Sequence, residues 1–314
     1  MSAFATKPRL GFLGVGWIGR HRLEAVAASG AAEVAAVADP AQPDALDTLD
    51  ELLEHELDGV VVATPSALHA EQAIAALEAG LAVFCQKPLA RTAAEAETVV
   101  EAARRADRLL AVDLCYRYTR AGEALRAAVA ELGEMDAAEL AFHNAYGPDR
   151  AWFYDRELAG GGCLVDLGTH LVDLALWILG WPAVERVESR ILDRGERGVE
   201  DYAVARLDLE TGATVSLACS WNLPAGRDCV IEAAFYGREK GAALRNVDGS
   251  FYDLRAERYR GTQTETLAEP PDDWGGRAIC AWARRLAAGG RYDPEVEHAV
   301  EVAAVLDRIY GSAA

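Results

Sequence analysis

The residues most suited to chemistry in this 314-residue chain open with Gly14-Val-Gly16-Trp-Ile-Gly19, which follows a short apolar run and starts a helical pattern. In that context the first glycine permits a tight turn, the second lets backbone approach a pyrophosphate, and the third permits close helix–strand packing. The helix N-terminus then offers N–H groups and a positive dipole end to the phosphates. Asp39 ends the next apolar run, twenty residues past Gly19, where a carboxylate can bind ribose hydroxyls. The competing reading is a plain strand–helix turn with Asp39 capping a loop. Asp39 would repel a 2′-phosphate, and the following Pro-Ala-Gln-Pro supplies no Arg or Lys, so NAD is favoured with NADP still open. Arg20 and Arg22 have two roles open to them, phosphate contact or a solvated helix face.

Two further groups could move protons. Gln86-Lys87-Pro88 follows the run Leu-Ala-Val-Phe-Cys, at the carboxyl end of a strand. A lysine desolvated there could act as general acid or base, although, taken alone, an exposed structural lysine is the better reading of the tripeptide. Asp166 and His170 stand four apart in a long helical pattern, with Asp173 about a turn further on. A histidine set by a carboxylate suits proton transfer; an ordinary surface pair remains the alternative.

The elements that must position these groups follow from periodicity. Strands are expected at RLGFLG, EVAAVA, DGVVVATP, LAVFC and LLAVDL. Helices are expected from Ile18 to Ser29, after Ser66 as a cap with Gly80 ending it, and after a Thr92–Glu95 capping box. Such alternation builds a parallel sheet covered on both faces. After Tyr118 the pattern changes. A helix carries Leu125, Ala128, Val129 and Leu132, and a strand follows near 138–142. A long helix is expected over about 164–179, with Leu167, Leu171, Leu174 and Ile178 on its apolar face. Later runs alternate with period two, as in ATVSLACSW, where Val215, Leu217, Cys219 and Trp221 share a face. They predict a mostly antiparallel sheet, ending in helices near 277–287 and 295–310. The domains expected are 1–118 and 119–314.

A formal charge of −19 argues against nucleic acid and anionic membranes as partners. The opening stretch MSAFATKPRLGFLG lacks a signal-peptide h-region, and no apolar run approaches the roughly 18 residues of a membrane span. A cytoplasmic protein is expected. The six cysteines, Cys85, Cys115, Cys163, Cys219, Cys229 and Cys280, form no C-x-x-C pair, and they read as reduced and buried with no metal site.

VATPSALHAEQAIAALEAG followed by Gln86-Lys87-Pro88, and then GGGCLVDLGTHLVDLALWILG, resembles the Gfo/Idh/MocA family of sugar and polyol oxidoreductases over nearly the whole chain. The resemblance implies a Rossmann domain, a doubly wound parallel sheet, followed by an α+β domain on an open, mostly antiparallel sheet, which often mediates homodimers or homotetramers. It implies a lysine of an E-K-P motif and an Asp-x-x-x-His pair as the catalytic set, mapping to Lys87, Asp166 and His170. His170 would move the proton of the reacting hydroxyl or carbonyl while nicotinamide carries hydride. Lys87 would hold and polarise that oxygen, with a share in proton transfer open to it. Asp166 would orient a sugar or polyol and tune His170. Lys87–Pro88 is a candidate cis peptide.

The candidate cofactor site comprises Gly14, Gly16, Trp17, Ile18, Gly19, Asp39, Thr64, Pro65, His69 and Lys87. Arg117, Tyr146, Trp152 and Asp173 are candidate substrate residues. Two departures from the family pattern stand out. Gln86 replaces the usual glutamate, so Lys87 loses a negative neighbour and its pKa is expected to fall slightly. Only about twenty residues separate Asp39 from the strand at Val60, so the parallel sheet is expected to be shortened after its second strand and the adenine side more open. A non-catalytic dinucleotide-binding regulator and an NAD-dependent glycosidase are the alternative functions. The complete Lys/Asp/His set argues against the regulator, and NAD-requiring hydrolysis without net NADH would mark the glycosidase.

Overall fold

A computed structural model describes residues 7–272 and 274–313; residues 1–6 of the stretch read for a signal peptide lie outside them. The strands and helices in chain order are β1 Arg9–Leu13, α1 Trp17–Ser29, β2 Glu33–Ala38, α2 Leu49–Leu53, β3 Gly59–Val62, α3 Ser66–Glu78, β4 Ala82–Cys85, α4 Ala93–Ala106 and β5 Leu110–Val112. They continue with α5 Arg120–Ala130, β6 Met135–Asn144, α6 Arg156–Ala159, α7 Thr169–Leu179, β7 Val184–Leu192, β8 Tyr202–Leu209 and β9 Thr214–Ser220. The last are β10 Cys229–Gly237, β11 Lys240–Asn246, β12 Leu254–Arg260, β13 Gln263–Ala268, α8 Arg277–Ala287 and α9 His298–Ser312. The chain forms two compact units, Met1–Cys115 with Gly275–Ala303, and Tyr116–Trp274 with Ala304–Ala314.

In the first unit β1 to β5 form a parallel sheet in the order β2-β1-β3-β4-β5. Continuous apolar runs make β3 and β4 buried on both faces, Val60, Val61 and Val62 being wholly inaccessible. β2 is an edge strand and mostly half-buried, and the short α2 is the helix between Asp39 and β3. The sheet is therefore shortened where its spacing foretold. Two local expectations change. Pro65 occupies the N-cap position of α3 with no side-chain cap bond, so Ser66 is its first residue rather than its cap. Thr92 does accept from the Glu95 N–H, but the Glu95 carboxylate turns to Arg91.

Residues 275–303 were expected in the second domain but pack with the first unit. The reason is apolar: Trp282 of α8 lies 5.6 Å from Phe84 of β4, and the Cys280 thiol reaches Ser29 of α1.

The second unit is built on a sheet ordered β13-β12-β11-β10-β6-β9-β8-β7. Every pairing in it is antiparallel except β6 with β9. Val215, Leu217, Cys219 and Trp221 point to the covered face and are buried, as alternation requires. The helical stretch Arg156–Leu179 is long and apolar enough to span a membrane by composition, contrary to the sequence expectation. Burial of 89% of its apolar window inside the unit makes it a core helix.

Candidate functional site

The first unit carries the glycine turn. Gly14 has φ +86°, and a β-carbon there would lie 2.6 Å from the Ala63 carbonyl oxygen. A β-carbon at Gly19 would lie 2.2 Å from the Gly14 carbonyl oxygen. These two glycines are demanded by the turn's own packing. Gly16 differs, because nothing lies within 4 Å of a β-carbon built there. No side chain caps α1 at this residue. The result is a clear cradle over the first turn of α1, the space a pyrophosphate needs and a side chain would fill.

Asp39 ties this turn to the end of β2. Its Oδ2 accepts from the Val15 N–H at 2.7 Å and its Oδ1 from the Ala41 N–H at 2.9 Å. A carboxylate has lone pairs left for ribose hydroxyls after these bonds. Arg20 is exposed and donates to Gln42 Oε1 at 3.3 Å, so the segment after Asp39 does have a cation beside it. Arg22 fits neither role expected of it, for it is 1% exposed and paired with Asp113 at 2.6 Å.

Trp17 is 62% exposed, its ring 6.3 Å from His21, and Ile18 is half-buried. The Thr64 hydroxyl donates to Gln72 Oε1 at 2.6 Å. His69 is buried, with Nδ1 2.7 Å from the Pro88 carbonyl oxygen and Nε2 2.8 Å from that of Thr64. Burial pushes this imidazole below its usual range, against the pull of the two carbonyls. A neutral imidazole has one N–H, so His69 donates to one of these two carbonyls while lying between the loops after β3 and β4. Lys87 lies in the second of these loops, half-buried, and the Lys87–Pro88 bond is cis. Gln86 is buried and its amide donates to Asp113. The carboxylate that Gln86 meets, Asp113, is itself paired with Arg22.

The second unit carries Asp166 and His170. Backbone from Leu164 to Gly168 forms a π-helical turn that runs into α7, in place of the continuous α-helix expected. The wider turn brings residues four apart close to one full turn, and such turns recur at functional sites. Within residues 161–178, Asp166 is the one residue that is not buried among those described. Trp221 Nε1 donates to its Oδ2 at 3.1 Å. His170 is 8% exposed, with the Tyr116 ring edge-on at 5.0 Å and Phe142 at 6.2 Å.

Glu200 holds the start of this helical stretch. Its Oε1 accepts from the N–H groups of Gly162 and Leu164, at 2.9 and 3.0 Å, and from the Tyr310 hydroxyl at 2.7 Å. Burial and the Glu200 charge push the Tyr310 phenol well above its ordinary range, keeping it a donor. β-Carbons at Gly161 and Gly162 would lie 2.1 Å from the Tyr310 hydroxyl and 2.0 Å from the Glu200 carbonyl oxygen, which explains the glycine run there.

The candidate substrate residues divide. Arg117 and Asp173 face one another as a buried ion pair, with Arg117 Nε 3.0 Å from both Asp173 oxygens and its guanidinium over Trp181. Trp152 stacks on Phe153 at 3.9 Å, and Phe153 meets the edge of Trp221. An aromatic group therefore connects Trp152 to the partner of Asp166. Tyr146 is 52% exposed beside Phe251. All six cysteines are buried and free. Among the described residues no cluster of three or more metal-ligating side chains occurs.

The first unit thus carries a parallel sheet with a glycine cradle over its first helix, and the second carries Asp166 and His170 on one helical stretch. Residues 9–114 match the family model described as oxidoreductase family, NAD-binding Rossmann fold, and residues 123–242 match the GFO/IDH/MocA C-terminal domain. D-glucoside 3-dehydrogenase of Escherichia coli (strain K12) is 31% identical over 62% of this chain and 60% of that enzyme. A putative UDP-kanosamine synthase oxidoreductase subunit of Amycolatopsis mediterranei (strain S699) is 34% identical over 70% of each. D-xylose 1-dehydrogenase (NADP(+)) 2 of Haloferax volcanii is 30% identical over 83% of this chain and 80% of that one. The crystal structure of GenD2 from gentamicin A biosynthesis, in complex with NAD, superposes with TM-score 0.84 at 26% identity, covering 99% of this chain and 95% of the other. The chain belongs to the Gfo/Idh/MocA family of oxidoreductases.

Proposed function

We propose that the protein is an NAD(P)-dependent dehydrogenase or reductase acting on a CH–OH group of a sugar, cyclitol or related polyol. The observation that carries the chemistry is Asp166, partly exposed in an otherwise buried helical stretch and four residues ahead of His170. The named activities of the relatives, on a glucoside and on xylose, support the substrate class.

The cradle at Gly16 suits the pyrophosphate, with Trp17, Ile18, Thr64 and Pro65 bordering the dinucleotide and Asp39 on the ribose hydroxyls. Bound nicotinamide supplies or accepts the hydride. His170 takes the proton from the reacting hydroxyl, or returns it to the carbonyl. Asp166 orients the sugar through its hydroxyls, while Trp221 fixes its carboxylate. Lys87 holds and polarises the substrate oxygen. His69 acts through the Lys87–Pro88 loop rather than on the cofactor directly. Arg117 and Asp173 brace one another, and Trp152 and Tyr146 are the aromatic surfaces left to meet a sugar face. The first unit is the dinucleotide-binding part and the second the substrate and oligomerisation part. The outer face of the eight-stranded sheet, a shallow concavity bordered by Glu139, Arg190, Arg206 and Glu232, is the proposed interface of a homodimer or homotetramer in the cytoplasm.

The test is binding of NADH and NADPH by fluorescence, followed by a screen of sugars and polyols for nicotinamide absorbance change. Micromolar binding of NADH, preferred over NADPH because of Asp39, and turnover of one sugar class are expected. Absence of dinucleotide binding would overturn the reading. Glycoside hydrolysis that requires NAD without net NADH would move it to a glycosidase.

A further inference from the structure

The ends of β4 and β5 meet at a buried charge. Arg22 of α1, Asp113 after β5 and Gln86 after β4 are 1%, 1% and 5% exposed. Asp113 Oδ2 accepts from Arg22 Nε at 2.6 Å and also from the Gln86 amide. Its second oxygen, Oδ1, is buried without a hydrogen-bond partner. Backbone bonds of 2.8 Å pin both strand ends, Gln86 N–H to Val62 and Asp113 N–H to Cys85. Gly275 closes the far side, since a β-carbon there would lie 2.1 Å from the Arg22 guanidinium.

Water does not reach this cluster, so its charges must balance internally. One guanidinium and one carboxylate balance only when residue 86 is neutral. A glutamate at 86 would set a second carboxylate against Asp113, whereas the glutamine offers the N–H donor that Asp113 requires. Gln86 is also the residue immediately before Lys87. The side chain that completes the cluster therefore fixes the backbone from which Lys87 leaves, and His69 lies against the other side of that turn at Pro88.

We propose that Gln86 and Asp113 form an interdependent pair, anchored on Arg22, that positions Lys87. The negative charge belongs on Asp113, whose Oδ2 accepts from both Arg22 and Gln86. Gln86→Glu and Asp113→Asn each misplace Lys87, and the double variant does not restore it, because one amide atom at the Oδ2 position cannot both accept from Arg22 and donate to the new carboxylate. This deepens the proposed function and rests on Lys87 acting at the substrate oxygen.

The chain has three lysines, Lys7, Lys87 and Lys240, so reductive methylation with ¹³C yields few resonances. The Lys87→Ala variant assigns the Lys87 signal. Each single variant is expected to shift that signal and to lower kcat at least tenfold while the dinucleotide Kd changes less than threefold. The double variant keeps the signal displaced and kcat at least tenfold down. Single variants with an unmoved signal, or a double variant restored to the wild-type signal and kcat, would overturn the proposal. Where a single variant does not fold, Gln86→Ala, which removes the amide donor without adding charge, carries the same test, and an unmoved Lys87 signal in it sinks the pairing. A wild-type protein that binds NADH but turns over no sugar or polyol would refute the proposed function, while the resonance cycle still decides the positioning pair.

Discussion

Lys87 and His170 are held by different means, and that difference sets what their loss would do. Lys87 stands on a loop that lies against His69 and is closed by Gln86, whereas His170 is packed between Tyr116 and Phe142 within a buried helix. Lys87→Ala and His170→Ala are each expected to lower kcat by about 100-fold to 10,000-fold, the usual worth of a positioned proton-transfer group. Circular dichroism should show both variants folded, and fluorescence titration should show NADH affinity retained in His170→Ala. Trp221→Phe removes the donor to Asp166 at a cost of about 1 kcal/mol for the hydrogen bond. It should raise the substrate KM several-fold in steady-state assays while leaving NADH affinity unchanged. Lys87, Asp166 and His170 became the candidate catalytic set through the family resemblance, because residue type and spacing alone left each of them an ordinary structural reading. Their supports were not legible. Asp113 meets Gln86 across 27 residues, Glu200 meets Leu164 across 36, and Trp221 meets Asp166 across 55. Each is a polar contact made only when segments distant in sequence meet.

At the scale of elements, the glycine turn separates what folding requires from what binding requires. Gly19→Ala drives a β-carbon against backbone, and overpacking of this kind costs typically about 1–3 kcal/mol. A lowered melting temperature is expected. Gly16→Ala meets no protein atom and should leave the melting temperature within a degree or two. It should weaken NADH binding about tenfold or more, equivalent to ~1.4 kcal/mol, in a fluorescence titration. Strand and helix alternation in the first unit was readable because each apolar run had a turn signal beside it. The π-helical turn at Leu164–Gly168 was not, since a run apolar on every side carries the same pattern in either helix. Nor was the return of α8 to the first unit, which depends on Trp282 finding Phe84.

For the whole molecule, acid should be destabilising through its imidazoles. His69 and His143 both have pKa values lowered by burial in the folded state. The unfolded chain then binds more protons than the folded one below about pH 6.5. The stability these residues contribute is complete above that pH and is lost as pH falls below it, at up to about 1.4 kcal/mol per unit for a fully buried group such as His69. Melting temperature should decline from pH 7 to pH 5, and the decline should be shallower in His69→Asn. The alternative of a flat profile would mean that His69 titrates normally.

The edge position of β2 has a kinetic consequence. A strand paired on one side, with only the short α2 before β3, leaves little to retain the adenosine half of a bound dinucleotide. Dissociation should then be fast enough for cofactor to exchange in every turnover rather than shuttle between two substrates while held. Initial-rate measurements with dinucleotide and sugar both varied are expected to give intersecting double-reciprocal lines, the mark of a sequential mechanism. Parallel lines would instead show a tenacious cofactor recycled in place.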